Sequence, residues 1–588
     1  MHMFSACLCI AVLRAVHAGD DGNKGLHVGH AGVNNRGHAH GGSCTADPEA
    51  PVVVSLTGSF RGSCMTSRRG RTFEAYRGIR YAEPPVGILR FQPPKPIHKY
   101  WHVVNASEDG PSCPQPINPG RYYDEDCLRL NVYTPRRNSS KLPVVVFIHQ
   151  GGLYSASSRS DIIGPQYLMD RDIVLVTINY RLGSLGFLST GDAYAPGNNG
   201  FKDQVAALRW VQRNIAAFGG DPTCVTIAGY SSGSYSVALH MVSPMSRGLF
   251  HRAISMSGSP YSQIEIPYHQ RHLAEKQARL VGCPTDNSRV ILDCLKSVPW
   301  RDIGNSLGGF AEFAFDPVRI WRPVIEQDFG QEVFMPRHPL EALRLGQLYA
   351  VPYIVSQTRD EFFWKAFTIL QNATLTQQMN DDWYRVAKIA FMLPEDSRTA
   401  AYKIREAYFK GKPVVNDTVT TYSLGRLYGD AVTGFGAHRL ANIMCRVSPQ
   451  SVYYYQFSYI GNHSFYEDPI TKKPVGVAHH DDLIYLFSIR VRFPDIGLSG
   501  PDAALVDKMT AIWYNFARYG DPNPRPATPE LATLHWPAMT SQSRRYLRLA
   551  NNFTILHNQA EDRFQLWDQL FPLLYNTWIL PATIVPFF

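Results

Sequence analysis

Uninterrupted apolar runs recur along the chain and alternate with stretches whose apolar residues fall three or four positions apart. Pro143-Val144-Val145-Val146-Phe147-Ile148-His149 is the clearest continuous run, the mark of a strand buried on both faces of a parallel sheet. Ile173 to Asn179 is a second. Phe201 to Phe218 has helical periodicity, with Val205, Leu208, Val211 and Ile215 on one side, and ends in Gly219-Gly220-Asp221-Pro222. The β-branched run Val225-Thr226-Ile227 then enters Gly229-Tyr230-Ser231-Ser232-Gly233, and Ser236 to His240 regains helical character. Arg252 to Ser257, Val351 to Ser356 and Val452 to Ser458 read as further strands. Asp502 to Arg518 reads as a helix closed by Gly520-Asp521-Pro522. Ordered structure is expected to begin near Val52, with a short strand around Phe73 and a proline-stiffened surface excursion through Pro84 to Pro94. Strands alternating with helices predict an α/β sheet covered by helices on both faces. The sequence contains no internal repeat.

Composition bounds this picture without changing it. A chain of 588 residues with 45% hydrophobic and 18% charged residues has ample material for a core. No stretch approaches the roughly 18 uninterrupted apolar residues of a membrane span, and the apolar tail from Trp578 to Phe588 is short and holds two prolines. The formal net charge of +9 is spread along the chain, with only short runs such as Arg68-Arg69 and Arg136-Arg137. Nucleic-acid or heparin binding would call for a patch, so a solvated surface is the expectation.

The N-terminus changes the expected compartment. Phe4 to Ala18 is mostly apolar and ends in Val16-His17-Ala18, so residues 1–18 read as a signal peptide, although Arg14 interrupts the run. Residues 19–50 are rich in Gly, His and Asn and cannot bury enough apolar area to fold, so they read as a disordered arm; metal binding through its histidines is the lesser reading. Sequons at Asn105, Asn138, Asn372, Asn416, Asn462 and Asn552 agree with secretory passage. With Cys7 and Cys9 in the leader, eight cysteines remain. Cys113 with Cys127 and Cys283 with Cys294 are the best disulfide candidates, being close in sequence. Cys44, Cys64, Cys224 and Cys445 have no obvious mates, and Cys224, on the strand entering the elbow, reads as a buried inert thiol.

The chemistry centres on Gly229-Tyr230-Ser231-Ser232-Gly233. A strand, a sharp turn and a helix are the layout of a nucleophile elbow, which holds the central serine strained and exposed. The pentapeptide alone is a weak pattern; it needs a base, an acid and N–H donors for a developing oxyanion. His149-Gln150-Gly151-Gly152-Leu153 directly follows a buried strand, where adjacent glycines free the backbone to point N–H groups at a ligand, although a plain turn would look the same. In Gly476-Val477-Ala478-His479-His480-Asp481-Asp482 either His479 or His480 could be the base. Past the strand ending at Ser356, Asp360 or Glu361 could be the acid. The order serine, acid, histidine is that of α/β-hydrolases, unlike chymotrypsin or subtilisin.

The chain resembles the type-B carboxylesterases, a family that includes cholinesterases, juvenile hormone esterases and the adhesion protein neuroligin. The resemblance spans roughly residues 52 to 575. It is carried by Arg77-Gly-Ile-Arg-Tyr-Ala-Glu-Pro-Pro-Val-Gly87, Asp124-Glu-Asp-Cys-Leu-Arg-Leu-Asn-Val-Tyr-Thr-Pro135, Asp203-Gln204 through Phe218-Gly-Gly-Asp-Pro222, the elbow, and Trp513-Tyr-Asn-Phe-Ala-Arg-Tyr-Gly-Asp-Pro-Asn523. It implies an α/β-hydrolase fold, with residues 51–575 as one catalytic domain and 576–588 as a tail. It also implies Ser231 as nucleophile, His479 as base, Glu361 as acid, and the N–H groups of Gly151, Gly152 and Ser232 as oxyanion donors. The family's disulfides match Cys113–Cys127 and Cys283–Cys294, and its structural ion pairs match Arg90–Glu125 and Arg181–Asp203. Its third cysteine loop is missing, because Cys445 has no downstream partner.

The departures bear on substrate. The family usually has Glu where this chain has Tyr230, and its Gly-Gly-Gly loop reads Gln150-Gly151-Gly152. The segment from Cys113 to Cys127 lacks the tryptophan with which cholinesterases hold a quaternary ammonium group by cation–π contact. These losses argue against a choline ester and for a neutral, fairly apolar small-molecule ester, hydrolysed through an acyl-enzyme without metal or organic cofactor. Juvenile hormone esterase activity is one alternative. The other is a non-catalytic adhesion or scaffold protein on the same fold, of the neuroligin type; its relatives usually lose a triad residue, and all three matching residues are present here.

Overall fold

The computed structural model describes residues 50–135, 141–523 and 529–573. The expected signal peptide, most of the arm, the tail, Cys44 and Asn138 lie outside the described residues.

The first strands, β1 (Val52–Ser55), β2 (Gly58–Arg61) and β5 (Val103–Asn105), form a small sheet of their own. The main sheet has eleven strands: β3 (Ser63–Thr66), β4 (Thr72–Arg80), β6 (Arg129–Pro135), β7 (Leu142–Ile148), β8 (Val174–Ile178), β9 (Gly220–Tyr230), β10 (Arg252–Met256), β11 (Tyr353–Thr358), β12 (Val452–Phe457), β13 (Arg545–Leu549) and β14 (Thr554–His557). Their spatial order is β14-β13-β12-β11-β10-β9-β7-β8-β6-β4-β3. From β8 through β7 and β9 to β13 every pairing is parallel, and the pairings toward both edges are antiparallel.

The pleat of the central strands sorts their side chains into two cores. Val144, Val146, Val225, Ile227, Tyr353 and Val355 face one side. There they pack on the helices Asn199–Asn214, Ser232–His240 and Phe435–Val447, through side chains such as Phe201, Val205, Val237 and Leu440. Val145, Phe147, Ala228, Ile254 and Tyr453 face the other, against Leu505, Met509, Ile512 and Phe516 of the helix Pro501–Tyr519. Strands buried on both faces lose their polar alternation, which is why they stand out in the sequence as continuous apolar runs. Each large apolar side chain so buried contributes roughly 1.5–3 kcal/mol. A third core, formed by helices between Trp364 and Val447, packs beside the sheet through Trp383, Ile404, Leu427 and Phe435.

Element boundaries differ from the sequence expectation in informative places. The helix Asn199–Asn214 gives way to a tighter turn at Ile215–Phe218, and Gly219 takes φ 85°. Gly220 then pairs with Leu142, so Gly220 to Pro222, expected as a turn, lengthen β9. The segment from Trp300 contains a short helix at Trp300–Asn305 and a single turn at Ser306–Phe310. Cys113–Cys127 and Cys283–Cys294 are bonded. Arg90 grips Glu125 through both carboxylate oxygens at 2.5 and 2.7 Å and donates to the carbonyls of Leu295 and Val298, tying the loop before β6 to the helix Ser288–Ser297. Arg181 pairs with Asp203 at 2.7 Å, buried. Among the described residues no helix is long and apolar enough to cross a membrane.

Candidate active site

The elbow sits where β9 ends in the middle of the sheet. Ser231 has φ 54° and ψ −114°, a region that costs a non-glycine residue of order 1–3 kcal/mol unless its surroundings enforce it. Here they do. The Ser231 N–H donates to the Met256 carbonyl at 2.8 Å, and the Ser231 carbonyl accepts from Tyr235 N–H at 2.9 Å. The turn brings strand and helix so close that a Cβ on Gly229 would lie 2.3 Å from the Gly233 backbone. One on Gly233 would lie 2.0 Å from the Ile148 carbonyl. Both glycines are therefore sterically required.

Ser231, Ser232, Gly151, Gly152, His479 and Gln150 line one cavity of about 210 Å³. Gly151 and Gly152 have φ 112° and 63°. A Cβ on the first would meet the Ser155 carbonyl at 2.1 Å. This loop is held from below. His149 is buried and stacks on Tyr180 at 4.5 Å, and its Nδ1–H donates to the Gln150 carbonyl at 2.7 Å. Burial lowers the His149 pKa to about 4, so the ring is neutral and that hydrogen bond fixes its tautomer. The Gln150 side chain is buried at the cavity wall, and its Oε1 has no hydrogen-bond partner among the described residues.

The two histidines and the two acids left open by the sequence separate on geometry. Glu361 hydrogen-bonds His479 through Oε2 and Nδ1, and its Oε1 accepts the Thr358 N–H at 2.9 Å. Asp360 instead accepts from Val477 N–H and from the Arg359 side chain. With Nδ1–H directed at a carboxylate, Nε2 of His479 is the acceptor; it is buried and unpartnered among the described residues. Burial lowers the His479 pKa to about 3 and raises that of Glu361 to about 7, the latter opposed by the Ser257 hydroxyl and the Thr358 N–H. The contact between the pair favours the charged imidazole beside a carboxylate and so opposes both shifts; the direction for resting His479 is toward the neutral base.

Sequence reading missed the layer behind His479. The Tyr230 ring lies 5.1 Å from the His479 ring and 4.9 Å from that of His480, and the Phe362 ring is 4.3 Å from His479. The Tyr230 hydroxyl accepts the His480 N–H at 2.7 Å, and Asp482 is buried beside the same hydroxyl. Asp481 accepts from the N–H groups of Ala478 and Phe465 and from the Ser464 hydroxyl at 2.7–2.8 Å, clamping the histidine loop. The run of two aspartates after the histidines was the available signal; pattern alone could not say that they face inward. Among the described residues no group of three metal-ligating side chains occurs.

A strained, half-buried hydroxyl at the cavity wall, a neutral imidazole with a free acceptor, a carboxylate on its far side and a doubled glycine loop can together carry out acyl transfer. Comparison with known proteins points the same way. The model of the carboxylesterase family matches residues 49–567. A juvenile hormone esterase of Tribolium castaneum is 35% identical over 536 residues, covering 87% of this chain and 90% of that protein. Venom carboxylesterase-6 of Apis mellifera is 35% identical, covering 88% and 93%. Among solved structures, the juvenile hormone esterase of Manduca sexta with OTFP covalently attached superposes with a TM-score of 0.77 at 26% identity, over 89% of this chain and 99% of that one.

Proposed function

The chain belongs to the carboxylesterase family and is a carboxylic ester hydrolase, and from that premise we propose that it is a secreted serine esterase using Ser231, His479 and Glu361. The observation that carries this reading is the Glu361–His479 hydrogen bond, which leaves His479 Nε2 as an unpartnered acceptor in the cavity lined by Ser231. His479 takes the Ser231 proton as the hydroxyl attacks the ester carbonyl, and Glu361 orients the imidazole and stabilises its charged form. The N–H groups of Gly151, Gly152 and Ser232 receive the oxyanion. His479 returns the proton to the departing alcohol, and water repeats the cycle on the acyl-enzyme.

The substrate body in this reading is fairly apolar. Leu153, Ile264, Val318, Phe362 and Val432 line the cavity, and among the described residues no acidic side chain does, so a quaternary ammonium ester meets no counter-charge there. Secretion rests on the leader at residues 1–18 and on the sequons, of which Asn105, Asn372, Asn416, Asn462 and Asn552 are exposed. The relatives reported above are named esterases, which does not favour the adhesion reading. The test is turnover of p-nitrophenyl acetate or butyrate together with labelling by a fluorophosphonate. Turnover and labelling that vanish in Ser231→Ala support the assignment; a wild type as inert as that variant overturns it. A substrate panel that includes juvenile hormone separates the narrower hormone-specific activity from a general one.

A further inference from the structure

The cavity wall is electrically one-sided. Four cationic side chains line it, Arg121, Arg319, Arg322 and Lys365, and not one aspartate or glutamate does. Lys365 is neutralised by buried Asp316 at 2.8 Å. The three arginines make no ion pair among the described residues.

Arg319 and Arg322 are the telling pair. They project from the irregular segment after Ser306–Phe310, three residues apart. Arg319 donates to two neutral carbonyls, Val432 O at 2.9 Å and Ser259 O at 3.3 Å, and its guanidinium lies 5.2 Å from the Tyr235 ring. Tyr235 stands on the helix that opens at the elbow, so this cation is held on the nucleophile's side of the cavity. Arg322 donates to the Glu265 carbonyl at 3.2 Å, and its buried Nε–H has no acceptor among the described residues. Burial disfavours both charges; Tyr235 offsets this at both arginines and the Glu265 carboxylate offsets it at Arg322, while Arg322 repels Arg319. Two cations held in one wall with no carboxylate in ion-pair contact among the described residues are costly unless something negative completes the site, and guanidinium is the group suited to forked recognition of an oxyanion.

We propose that the cavity is built for an ester that also carries an anionic group, received by Arg319 and Arg322 while the ester carbonyl sits at Ser231. Carboxylate, sulfate and phosphate share the needed chemistry. The inference rests on the esterase reading above and replaces the wholly neutral substrate expected from the sequence: the body of the substrate is apolar, and one end is negative.

Two matched ester pairs test it. In the first, p-nitrophenyl butyrate is compared with the p-nitrophenyl half-ester of glutarate, which places a carboxylate on the acyl side. In the second, the butyrate of 4-hydroxyphenylacetate is compared with that of its methyl ester, which places the charge on the alcohol side. The expected result is a kcat/KM at least about tenfold higher for the charged member of one pair, a difference of about 1.4 kcal/mol. The pair that shows it tells which side the arginines serve. Arg319→Gln and Arg322→Gln bring that ratio toward one, Arg319→Lys keeps part of it, and Arg289→Gln, an exposed position outside the cavity, leaves it unchanged. A wild-type ratio at or below one in both pairs overturns the proposal, as does a ratio indifferent to both glutamine variants. Hydrolysis of neutral esters with fluorophosphonate labelling of Ser231 leaves the esterase reading standing in that event; loss of both removes it as well.

Discussion

The His480 N–H and the Tyr230 hydroxyl, 250 residues apart in the chain, meet at 2.7 Å. Tyr230 precedes the candidate nucleophile and His480 follows the candidate base. The hydrogen bond therefore ties the two loops whose separation sets the distance from Ser231 to His479.

Tyr230→Phe removes that acceptor, together with the hydroxyl's contacts to Asp482 and Ser257, and keeps the ring contact with His479. One net hydrogen bond is worth about 1 kcal/mol, so kcat is expected to fall about fivefold with KM little changed. Steady-state kinetics check it: a raised KM at constant kcat would mean that Tyr230 serves binding instead of positioning.

Glu361→Gln is expected to lower kcat by about 10⁴-fold, since the amide cannot hold the imidazole in the right tautomer or offset its charge. Stability moves the other way. Burial raises the Glu361 pKa from 4.5 to about 7, so its contribution to stability is complete below about pH 4.5 and is lost as pH rises through about 7. The variant cannot ionise. Its thermal midpoint should match wild type near pH 4.5 and exceed it near pH 8, which calorimetry at the two pH values measures.

The pH profile of kcat/KM follows from His479, which must be neutral to accept a proton. Burial, and after it the Arg319 charge, lower its pKa from the ordinary 6.5. The acid limb is expected below pH 6.5, and Arg319→Gln should move it upward. A limb near pH 7 that Arg319→Gln does not move would instead report Glu361, whose pKa burial raises to about 7 and which must be ionised to stabilise the charged imidazole.

Cys113–Cys127 closes a loop with a sequence separation of 14, and that loop supplies Gln115, Asn118, Arg121 and Tyr123 to the cavity. Replacing both cysteines by alanine should cost about 3 kcal/mol by the loop-entropy estimate and raise KM. Denaturant unfolding and kinetics on one preparation read both effects.

The sequence by itself determined the sheet and its reach. Strands buried on both faces are largely apolar, so β7 and β8 are written as nearly continuous runs, and the elbow's two glycines follow from a backbone approach that no side chain permits. The same local logic placed the doubled glycine after β7 and the histidine pair after β12. It could not choose Glu361 over Asp360 or His479 over His480, because neighbours in sequence share composition while their side chains leave the backbone in different directions. That choice belongs to the tertiary structure, which turns Asp360 toward Val477 and Glu361 toward His479. The cationic wall is of the same kind. Arg319 and Arg322 look like ordinary loop arginines until folding brings them into a cavity without a carboxylate, and only there does an unpaired charge acquire a meaning.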